Sequence, residues 1–234
     1  MGVLDRWILV HAKSVLDEAE AYFREYEFSK GFALLTHFIT VELSGIYLDI
    51  SKDRLYCNAK NDVLRLSAQS AMALIAGRLM VLVAPTLTYT VDEMMEYAPS
   101  ILKGEKKSVF DLVYEALPAV SVDFDAPYMM EAREKFFEIV DGLKKEKIIK
   151  STLELIVQTT SPKIMALPKV DAEDWFTVSK VINHDETGEL GEFSVGEDTF
   201  KIFKAQKCKC PRCWKYRAKS EEELCHRCKE ALNV

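Results

Sequence analysis

Apolar and polar positions in the first part of the chain alternate with the period of an α-helix. Apolar side chains recur every three or four residues from Leu4 to Tyr26 and again from Phe28 to Ile46, so each stretch predicts one amphipathic helix. Residues 62–83 are apolar on most sides, which predicts a central helix that Pro85 ends. These patterns predict a bundle packed around one largely buried helix.

Two more helices are predicted further along the chain. The residues Thr90-Val91-Asp92-Glu93 have the form of a capping box, so a short helix is expected to start there and stop near Pro99. A longer helix is expected from Asp125 to about Lys147, with Pro127 in its first turn. The bundle is therefore expected to occupy residues 1–150.

The periodicity changes near residue 150. Residues 152–157 alternate as a strand does, residues 175–182 are rich in β-formers, and the Gly196 region separates two β-prone runs as a hairpin would. We therefore expect a small α+β unit at residues 151–206. The remaining residues, 207–234, are too few to build an apolar core of their own.

Four cysteines in this last segment form two C-x-x-C pairs. Cys210 and Cys213 make the first pair, Cys225 and Cys228 make the second, and eleven residues lie between the pairs. Each pair places two thiolates on one turn, and two such turns can complete a tetrahedron around one ion. The spacing predicts a structural zinc site, because four protein ligands leave no position open for catalysis.

Other uses of these cysteines are less well supported by the sequence. Disulfides are typical of secreted proteins, and the first residues lack the apolar core of a signal peptide. A thioredoxin-like redox motif would use one pair rather than two. Cys208 is a possible competing ligand, whereas Cys57 is expected to be a small buried side chain. Unpaired thiols favour a reducing, cytoplasmic setting.

Charge is unevenly distributed along the chain. The net charge is −6, yet residues 201–234 carry ten Lys or Arg and four Glu, a net charge of +6. A basic tip that also contains aromatic residues favours contact with a polyanion, although it is also compatible with a solubilising tail. The most apolar run, residues 71–84, contains Arg78 and is too short to span a membrane.

Several motifs resemble bacterial isoleucyl-tRNA synthetases, in that family's order and over nearly the whole chain. The motifs, with the residues that they occupy, are L-D-R-W-I-L at 4–9, Y-E-F at 26–28, L-S-G-I-Y-L-D-I-S-K-D-R-L-Y at 43–56, V-A-P-T-L-T-Y-T-V-D-E at 83–93, I-I-K-S-T-L-E at 148–154 and K-C-P-R-C-W at 209–214. The last motif is similar to that family's C-terminal zinc finger and argues against the valyl and leucyl relatives, which share the bundle.

The resemblance implies a mostly α fold: the anticodon-binding helical bundle of a class I synthetase (1–150), a small α+β junction unit (151–206) and a four-cysteine zinc finger (207–234). It implies a non-catalytic, cytoplasmic fragment that binds the anticodon stem-loop of isoleucine tRNA. The family's H-I-G-H and K-M-S-K-S signatures do not occur here. ATP would therefore bind only in the missing catalytic domain. The missing catalytic and editing domains of the same enzyme are expected to be partners of this chain. No membrane or DNA partner is expected.

Six residues are expected to contact the tRNA. Trp214 offers a face for base stacking, and Arg212 offers bidentate hydrogen bonds. Lys215 and Arg217 are expected to contact phosphates, as are Lys52 and Arg54 on a predicted interhelical loop. Two alternatives are that Trp214 packs onto the α+β unit and that Lys52 and Arg54 form ion pairs with Asp49 or Asp53.

Two other functions are compatible with a C-terminal finger. The finger could serve only to dock on other parts of its own enzyme. A formamidopyrimidine-type DNA glycosylase carries a similar finger, but that class needs an N-terminal catalytic proline followed by an acid, and this chain starts Met1-Gly2. A helical bundle also differs from the body of such a glycosylase. The sequence therefore favours tRNA binding.

Overall fold

The structure is a computed structural model that describes residues 1–113 and 115–233. These residues form two compact units: unit 1 comprises 1–49, 61–113 and 115–122, and unit 2 comprises 50–60 and 123–233. This division crosses the predicted boundaries. The last long helix of the predicted bundle, the junction strands and the cysteine-rich segment all belong to unit 2.

Unit 1 is helical. Its elements are α1 (Val3–Arg24), α2 (Phe28–His37), a π-helical segment (Phe38–Leu48), α4 (Val63–Val83), α5 (Thr88–Tyr97), α6 (Ser100–Lys103) and a 3-10 turn (Val109–Asp111). α1 packs against α2, the π-helical segment and α4. Leu4, Ile8 and Ala19 of α1 are buried, which confirms the apolar stripe that the sequence predicts, except that its last member, Tyr26, is exposed and lies beyond the end of α1.

The helix ends of unit 1 follow the capping signals only in part. Asp62 caps α4 by accepting hydrogen bonds from the N–H groups of Leu64 (2.9 Å) and Arg65 (3.1 Å). α5 begins at Thr88, before the predicted capping box at Thr90, and no side chain caps it. The predicted position of that cap is wrong because the turn after α4, in which the N–H of Leu87 donates to the carbonyl oxygen of Val83 (2.8 Å), leads into the helix already at Thr88.

A buried carboxylate holds the start of α1. Asp5 is fully buried and accepts hydrogen bonds from the hydroxyl groups of Tyr47 (2.7 Å) and Ser67. Arg78 of α4 is also buried, and its Nη2 lies 2.6 Å from Oε2 of Glu20 on α1. Both groups are paired, as buried charges must be. They tie α1 to the π-helical segment and to α4.

Two helical stretches are long and apolar enough, by length and composition, to cross a membrane. They are residues 28–57, with a mean hydropathy of 1.4, and residues 63–83, with a mean hydropathy of 1.6. The expectation that no segment is long enough to span a membrane considered only the shorter apolar run at 71–84. Core helices of globular proteins meet the same criterion, and α4 carries the paired Arg78 at its buried face.

Unit 2 combines helices with two sheets. Its elements are α3 (Asp49–Cys57, from residue 50 onward), α7 (Ala126–Lys145), a 3-10 turn (Thr152–Glu154), β1 (Leu155–Thr159), α8 (Pro162–Met165), α9 (Lys169–Trp175), β2 (Lys180–Ile182), β3 (Glu189–Val195), β4 (Asp198–Lys204), β5 (Cys208–Lys209), β6 (Tyr216–Ala218) and α10 (His226–Leu232). Residues 49–57 are helical rather than the loop that was expected at Lys52 and Arg54.

The larger sheet has the strand order β2-β1-β4-β3. β1 pairs parallel with β2 and antiparallel with β4, and β3 and β4 form the predicted hairpin. Gly196 in its turn has φ 59°, a conformation that glycine adopts without steric cost. α7 packs against β3, and the fully buried Trp175 donates from Nε1 to the carbonyl oxygen of Met129 on α7 (2.9 Å). β5 and β6 form a separate two-stranded sheet that carries the cysteine turn.

Candidate metal centre and RNA-binding surface

The four cysteines of the two C-x-x-C pairs converge in unit 2. The Sγ atoms of Cys210, Cys213, Cys225 and Cys228 all lie within 4.8 Å of one another, and all four residues are buried. Because they come from two segments separated by eleven residues, the fold rather than the local sequence alone brings them together.

Short elements position each pair. Cys210 follows β5, its N–H donates to the carbonyl oxygen of Lys215 (3.0 Å), and its own carbonyl accepts from the N–H of Trp214 (2.9 Å). This turn places Cys213 beside Cys210. Cys225 lies directly before α10, and its N–H donates to Sγ of Cys210 at 3.3 Å. The second pair is thereby held against the first.

The arrangement fits a tetrahedral ion. Zinc–sulfur bonds of about 2.3 Å place tetrahedral sulfurs about 3.8 Å apart, and Sγ of Cys213 lies 3.7 Å from Sγ of Cys225. A disulfide needs about 2.05 Å, and all six cysteines are free thiols. Four thiolates from a buried group can hold one metal ion and leave no ligand position open.

The thiols differ in how readily they ionise. Burial opposes ionisation of Cys210, but N–H groups of Cys225, Cys213 and Arg212 directed at its sulfur lower its pKa to about 6. Burial dominates at the other two shifted thiols and raises the pKa of Cys213 and of Cys225. Cys210 is therefore the thiol best prepared to bind a cation as a thiolate.

The two remaining cysteines lie outside the four-sulfur group. Cys208 belongs to β5, opposite Ala218 of β6, and is only partly buried. Cys57 is buried, and its Sγ lies 4.0 Å from the carbonyl oxygen of Arg212. Burial, followed by the charge of Asp53, raises the pKa of Cys57 to about 11. Cys57 thus packs beneath the site as a neutral thiol.

Arg212 is directed toward the sulfur cluster. Its Nη1 donates to the carbonyl oxygen of Cys57 and lies 3.6 Å from Sγ of Cys228. The side chain is half-buried, so it supports the cysteine turn from outside and retains only part of its surface for another partner. A guanidinium next to four thiolates also balances their charge.

Trp214 is exposed, which differs from the packed alternative that the sequence left open. It follows Cys213 in the cysteine turn, and 59% of the residue is accessible. The Nζ atom of Lys209 lies 5.0 Å from the ring centroid, which is a cation–π contact. The backbone is left-handed, with φ 64°. This geometry holds an aromatic surface out in solvent.

Arg54 and Lys215, both expected at tRNA phosphates, are instead members of a buried ion network. Nε of Arg54 lies 2.7 Å from Asp174, and its Nη2 pairs with Asp171. Nζ of Lys215 lies 3.0 Å from Asp174 and 3.3 Å from Asp53. Both cations are almost fully buried. Their placement does not support RNA contact, because a buried, paired cation has no surface for a phosphate.

Arg217 and Lys52 have different surroundings. Arg217 donates from Nε to the carbonyl oxygen of Ser179 (2.6 Å) and pairs through Nη2 with Glu173 of α9, so two of its donors are used internally. Lys52 is exposed on α3. Two partners of Arg54 are acids of α9, which lie more than one hundred residues further along the chain than the Asp49 and Asp53 of the sequence-based alternative.

Sequence reasoning named Asp53 as an ion-pair partner but missed the other two acids of this network, Asp171 and Asp174. Asp53, Asp171 and Asp174 hold Arg54, Lys215 and Arg227. The only local signal is the run D-A-E-D-W-F at 171–176, where three acids adjoin two large apolar residues. Such a mixture indicates a partly buried acidic helix whose partners must come from elsewhere.

Comparisons with known proteins identify the family. Residues 5–159 match a family model described as the anticodon-binding domain of tRNA ligase. The chain is 56% identical over 232 residues to the isoleucine–tRNA ligase of a Nitratiruptor species, covering 99% of this chain and 25% of that protein. It is 53% identical over 234 residues to that of Sulfurimonas denitrificans, covering 100% and 26%, and 54% identical over 234 residues to that of Campylobacter curvus, covering 99% and 25%.

These matches confirm the resemblance drawn from the motifs and the helical fold class. The chain spans about a quarter of the length of the curated relatives that it matches. The four-cysteine group adds a candidate metal centre to the matched helical region. The chain belongs to the family of tRNA-ligase anticodon-binding domains, and the relatives that it matches over its whole length are isoleucine–tRNA ligases.

Proposed function

We propose that this chain is the tRNA-binding part of an isoleucine–tRNA ligase and recognises the anticodon stem-loop of isoleucine tRNA. The complete cytoplasmic enzyme would charge that tRNA with isoleucine at the expense of ATP. Catalysis, ATP binding and editing would belong to the other three quarters of its relatives' length. The observation that carries the proposal is the exposed Trp214 on a four-cysteine turn, in a chain of this family.

In this proposal the metal is zinc. Cys210, Cys213, Cys225 and Cys228 would hold it, and a four-thiolate site supplies structural rigidity rather than a reactive water. Buried thiolates, their spacing and the sulfur separations support zinc over harder cations, which prefer oxygen ligands. The ion would fix the turn that presents Trp214.

Base stacking is the contact that we assign to Trp214. Anticodon loops are single-stranded, and their bases can splay out onto an aromatic surface. Lys209 contacts the ring and would lie near the phosphate of a stacked nucleotide. We assign secondary roles to Arg212, Arg217 and Lys52, whose exposed parts would contact backbone or base edges. Arg54 and Lys215 are omitted because they are buried.

Fluorescence anisotropy titrations with isoleucine and valine tRNAs test this proposal. We expect tighter binding of isoleucine tRNA, and an affinity loss of about 5- to 150-fold for Trp214→Ala, which corresponds to one stacked base. Trp214→Phe should recover much of that loss. Tyr89→Ala is the matched control, because Tyr89 is a more exposed aromatic residue on α5.

A second candidate function is intramolecular docking by the finger. It is favoured by the internal use of Lys215, Arg217 and Arg227, which bind acids of α3 and α9. Under this alternative, Trp214→Ala leaves tRNA affinity unchanged in a folded protein. That result, together with equal affinity for the two tRNAs, would contradict the proposed recognition.

A further inference from the structure

A cleft of about 650 Å³ lies in unit 2, and apart from Arg217 and Cys225 the residues that line it have no role in the function proposed above. Its wall combines α9, the start of β2, the linker after β4 and the finger near Cys225. This volume lies within the range of about 300–1,000 Å³ that small-molecule sites occupy. The cleft is therefore large enough for a nucleotide-sized group.

Three lysines from distant segments surround this cleft. Lys169 starts α9, Lys180 starts β2 and Lys207 follows β4; all three are exposed. Within residues 1–113 and 115–233, none of them has an ion-pair partner within 4.0 Å. Their convergence gives the cleft a positive rim.

Some other lysines of the same unit are matched to acids. Lys163 lies 2.6 Å from Asp125, and Lys201 lies 3.1 Å from Glu189. A lysine without an ion-pair partner is ordinary at a protein surface. Three such lysines around one cleft raise the positive electrostatic potential inside it, since the low-dielectric walls focus the electric field. The pattern favours an anionic occupant.

The other charges of the cleft are already engaged. Arg217 pairs with Glu173, and Arg227 pairs with Asp53. Glu186 is the remaining carboxylate in the lining, with its Oε1 3.3 Å from the N–H of Thr187. His226 lies 3.2 Å from Glu230. The lysines therefore outnumber the carboxylate that is not held by a cation.

The cleft also has an apolar surface. Ile156 belongs to a buried cluster with Ile182 and Phe203, and Ala205 packs against that cluster. Tyr216 is half-buried in the wall beside the finger. A cationic rim over an apolar and aromatic wall matches a nucleotide, which has an anionic phosphate and an apolar base face.

We propose that this cleft binds a single-stranded RNA nucleotide, with its phosphates at Lys169, Lys180 and Lys207 and its base against Ile156, Ala205 and Tyr216. The proposal rests on the proposed tRNA-binding function and adds a second contact region to Trp214. An acidic peptide would also meet the lysines, but it would leave the apolar wall without a matching group.

The test uses heptauridine labelled with fluorescein and a variant with Lys169→Gln, Lys180→Gln and Lys207→Gln. A variant with Lys144→Gln, Lys145→Gln and Lys150→Gln is the matched control, because those three lysines are exposed in the same unit and their removal changes the charge equally. Affinity is measured from 50 to 200 mM salt. Circular dichroism checks that both variants fold.

For each phosphate interaction that a substitution removes, we expect the slope of log affinity against log salt to become shallower by about 0.7. The slope measured for the cleft variant should correspond to the loss of two or more phosphate interactions, and its affinity at 50 mM salt should be lower by a factor of about ten or more. The control variant should keep the wild-type slope. Equal losses in both variants would mean general electrostatics and would overturn the proposal. The proposal would also be overturned if heptaglutamate competed with the labelled heptauridine as effectively as unlabelled heptauridine does.

The two proposals fail in different ways. If isoleucine tRNA binds in a Trp214-dependent manner and the cleft variant behaves as wild type with heptauridine, the cleft assignment is wrong and the proposed function stands. If the wild-type chain binds neither isoleucine tRNA nor heptauridine, both proposals are wrong.

Discussion

Asp53 accepts hydrogen bonds from both terminal nitrogens of Arg227, the residue that precedes the metal-ligand candidate Cys228. The Nη2–Oδ1 distance is 2.7 Å, and both side chains are largely removed from solvent. A bidentate pair of this kind fixes direction as well as distance. The second cysteine pair is thereby anchored to α3 within unit 2.

This pair predicts a specific pH dependence of stability. Burial alone would raise the pKa of Asp53, but Arg227 and Lys215 lower it from 3.8 to about 2. A carboxyl group with a depressed folded-state pKa stabilises the fold above pH about 4, and this contribution is lost as the pH falls toward 2. It amounts to about 2 kcal/mol.

Urea unfolding of the wild type and Asp53→Asn between pH 5 and pH 2 checks that prediction. Acid also protonates the thiolates, but it does so in both proteins, so their difference reports Asp53. We expect the wild type to be more stable at pH 5 and the difference to shrink below pH 4. A difference that stays constant down to pH 2 would contradict the assignment.

The buried network predicts a large cost for neutralising Asp174. Asp174 contacts both Arg54 and Lys215, so Asp174→Asn leaves two buried cations with one fewer negative charge. We expect a loss of about 3–5 kcal/mol in the free energy of unfolding. Glu131→Gln is the control, because its pair with Lys135 at 2.7 Å is exposed and worth about 1 kcal/mol or less. Chemical denaturation measures both variants. If Asp174→Asn and Glu131→Gln lower the free energy of unfolding by similar amounts, the network does not stabilise the fold more than an exposed pair does.

Metal content should depend on four of the six cysteines. Cys210→Ser, Cys213→Ser, Cys225→Ser and Cys228→Ser should each reduce zinc per chain, because each removes one thiolate from the group. Cys57→Ser and Cys208→Ser should retain one zinc. Elemental mass spectrometry measures the zinc content per chain of each variant. In the wild type, a strong chelator should unfold the segment after residue 207. Loss of zinc from Cys208→Ser would reassign the ligand set.

Two helical glycines should respond oppositely to alanine. A Cβ atom at Gly31 would lie 2.7 Å from Cδ1 of Phe23, whose ring also contacts Phe28 and Phe32. Gly142 on α7 has nothing within 4 Å of that position. We expect Gly31→Ala to destabilise by about 1–3 kcal/mol through overpacking, and Gly142→Ala to stabilise by up to about 1 kcal/mol. Thermal unfolding checks both; stabilisation by Gly31→Ala would mean that the ring moves freely.

Local patterns predicted the parts of this fold that local physics determines. The stripe of α1, the helix predicted at 62–83, the hairpin at Gly196 and the cysteine spacing each depend on residues close in the chain. The predicted helix at 125–147 is observed as Ala126–Lys145, with Asp125 as its cap. Period and capping are sufficient for such elements.

The ion network could not be predicted in the same way. Arg54 and Asp174 are separated by 120 positions, and no periodicity links them. Lys52 and Arg54 were expected on an interhelical loop, whereas in the helix α3 Arg54 faces an acid and Asp53 faces a cation inside unit 2. Lys215 was expected to contact a phosphate for the same reason: composition shows a cation but not whether an acid from another segment already holds it.

Trp214 has a left-handed backbone, which glycine adopts freely and other L-residues adopt at a cost of about 1–2 kcal/mol. The backbone conformation at residue 214 suits glycine best, so thermal stability favours glycine at this position. The proposed RNA binding favours an aromatic residue there instead. A library randomised at residue 214 and screened only for heat resistance should converge on glycine. The same library screened for retention on immobilised tRNA should return aromatic residues.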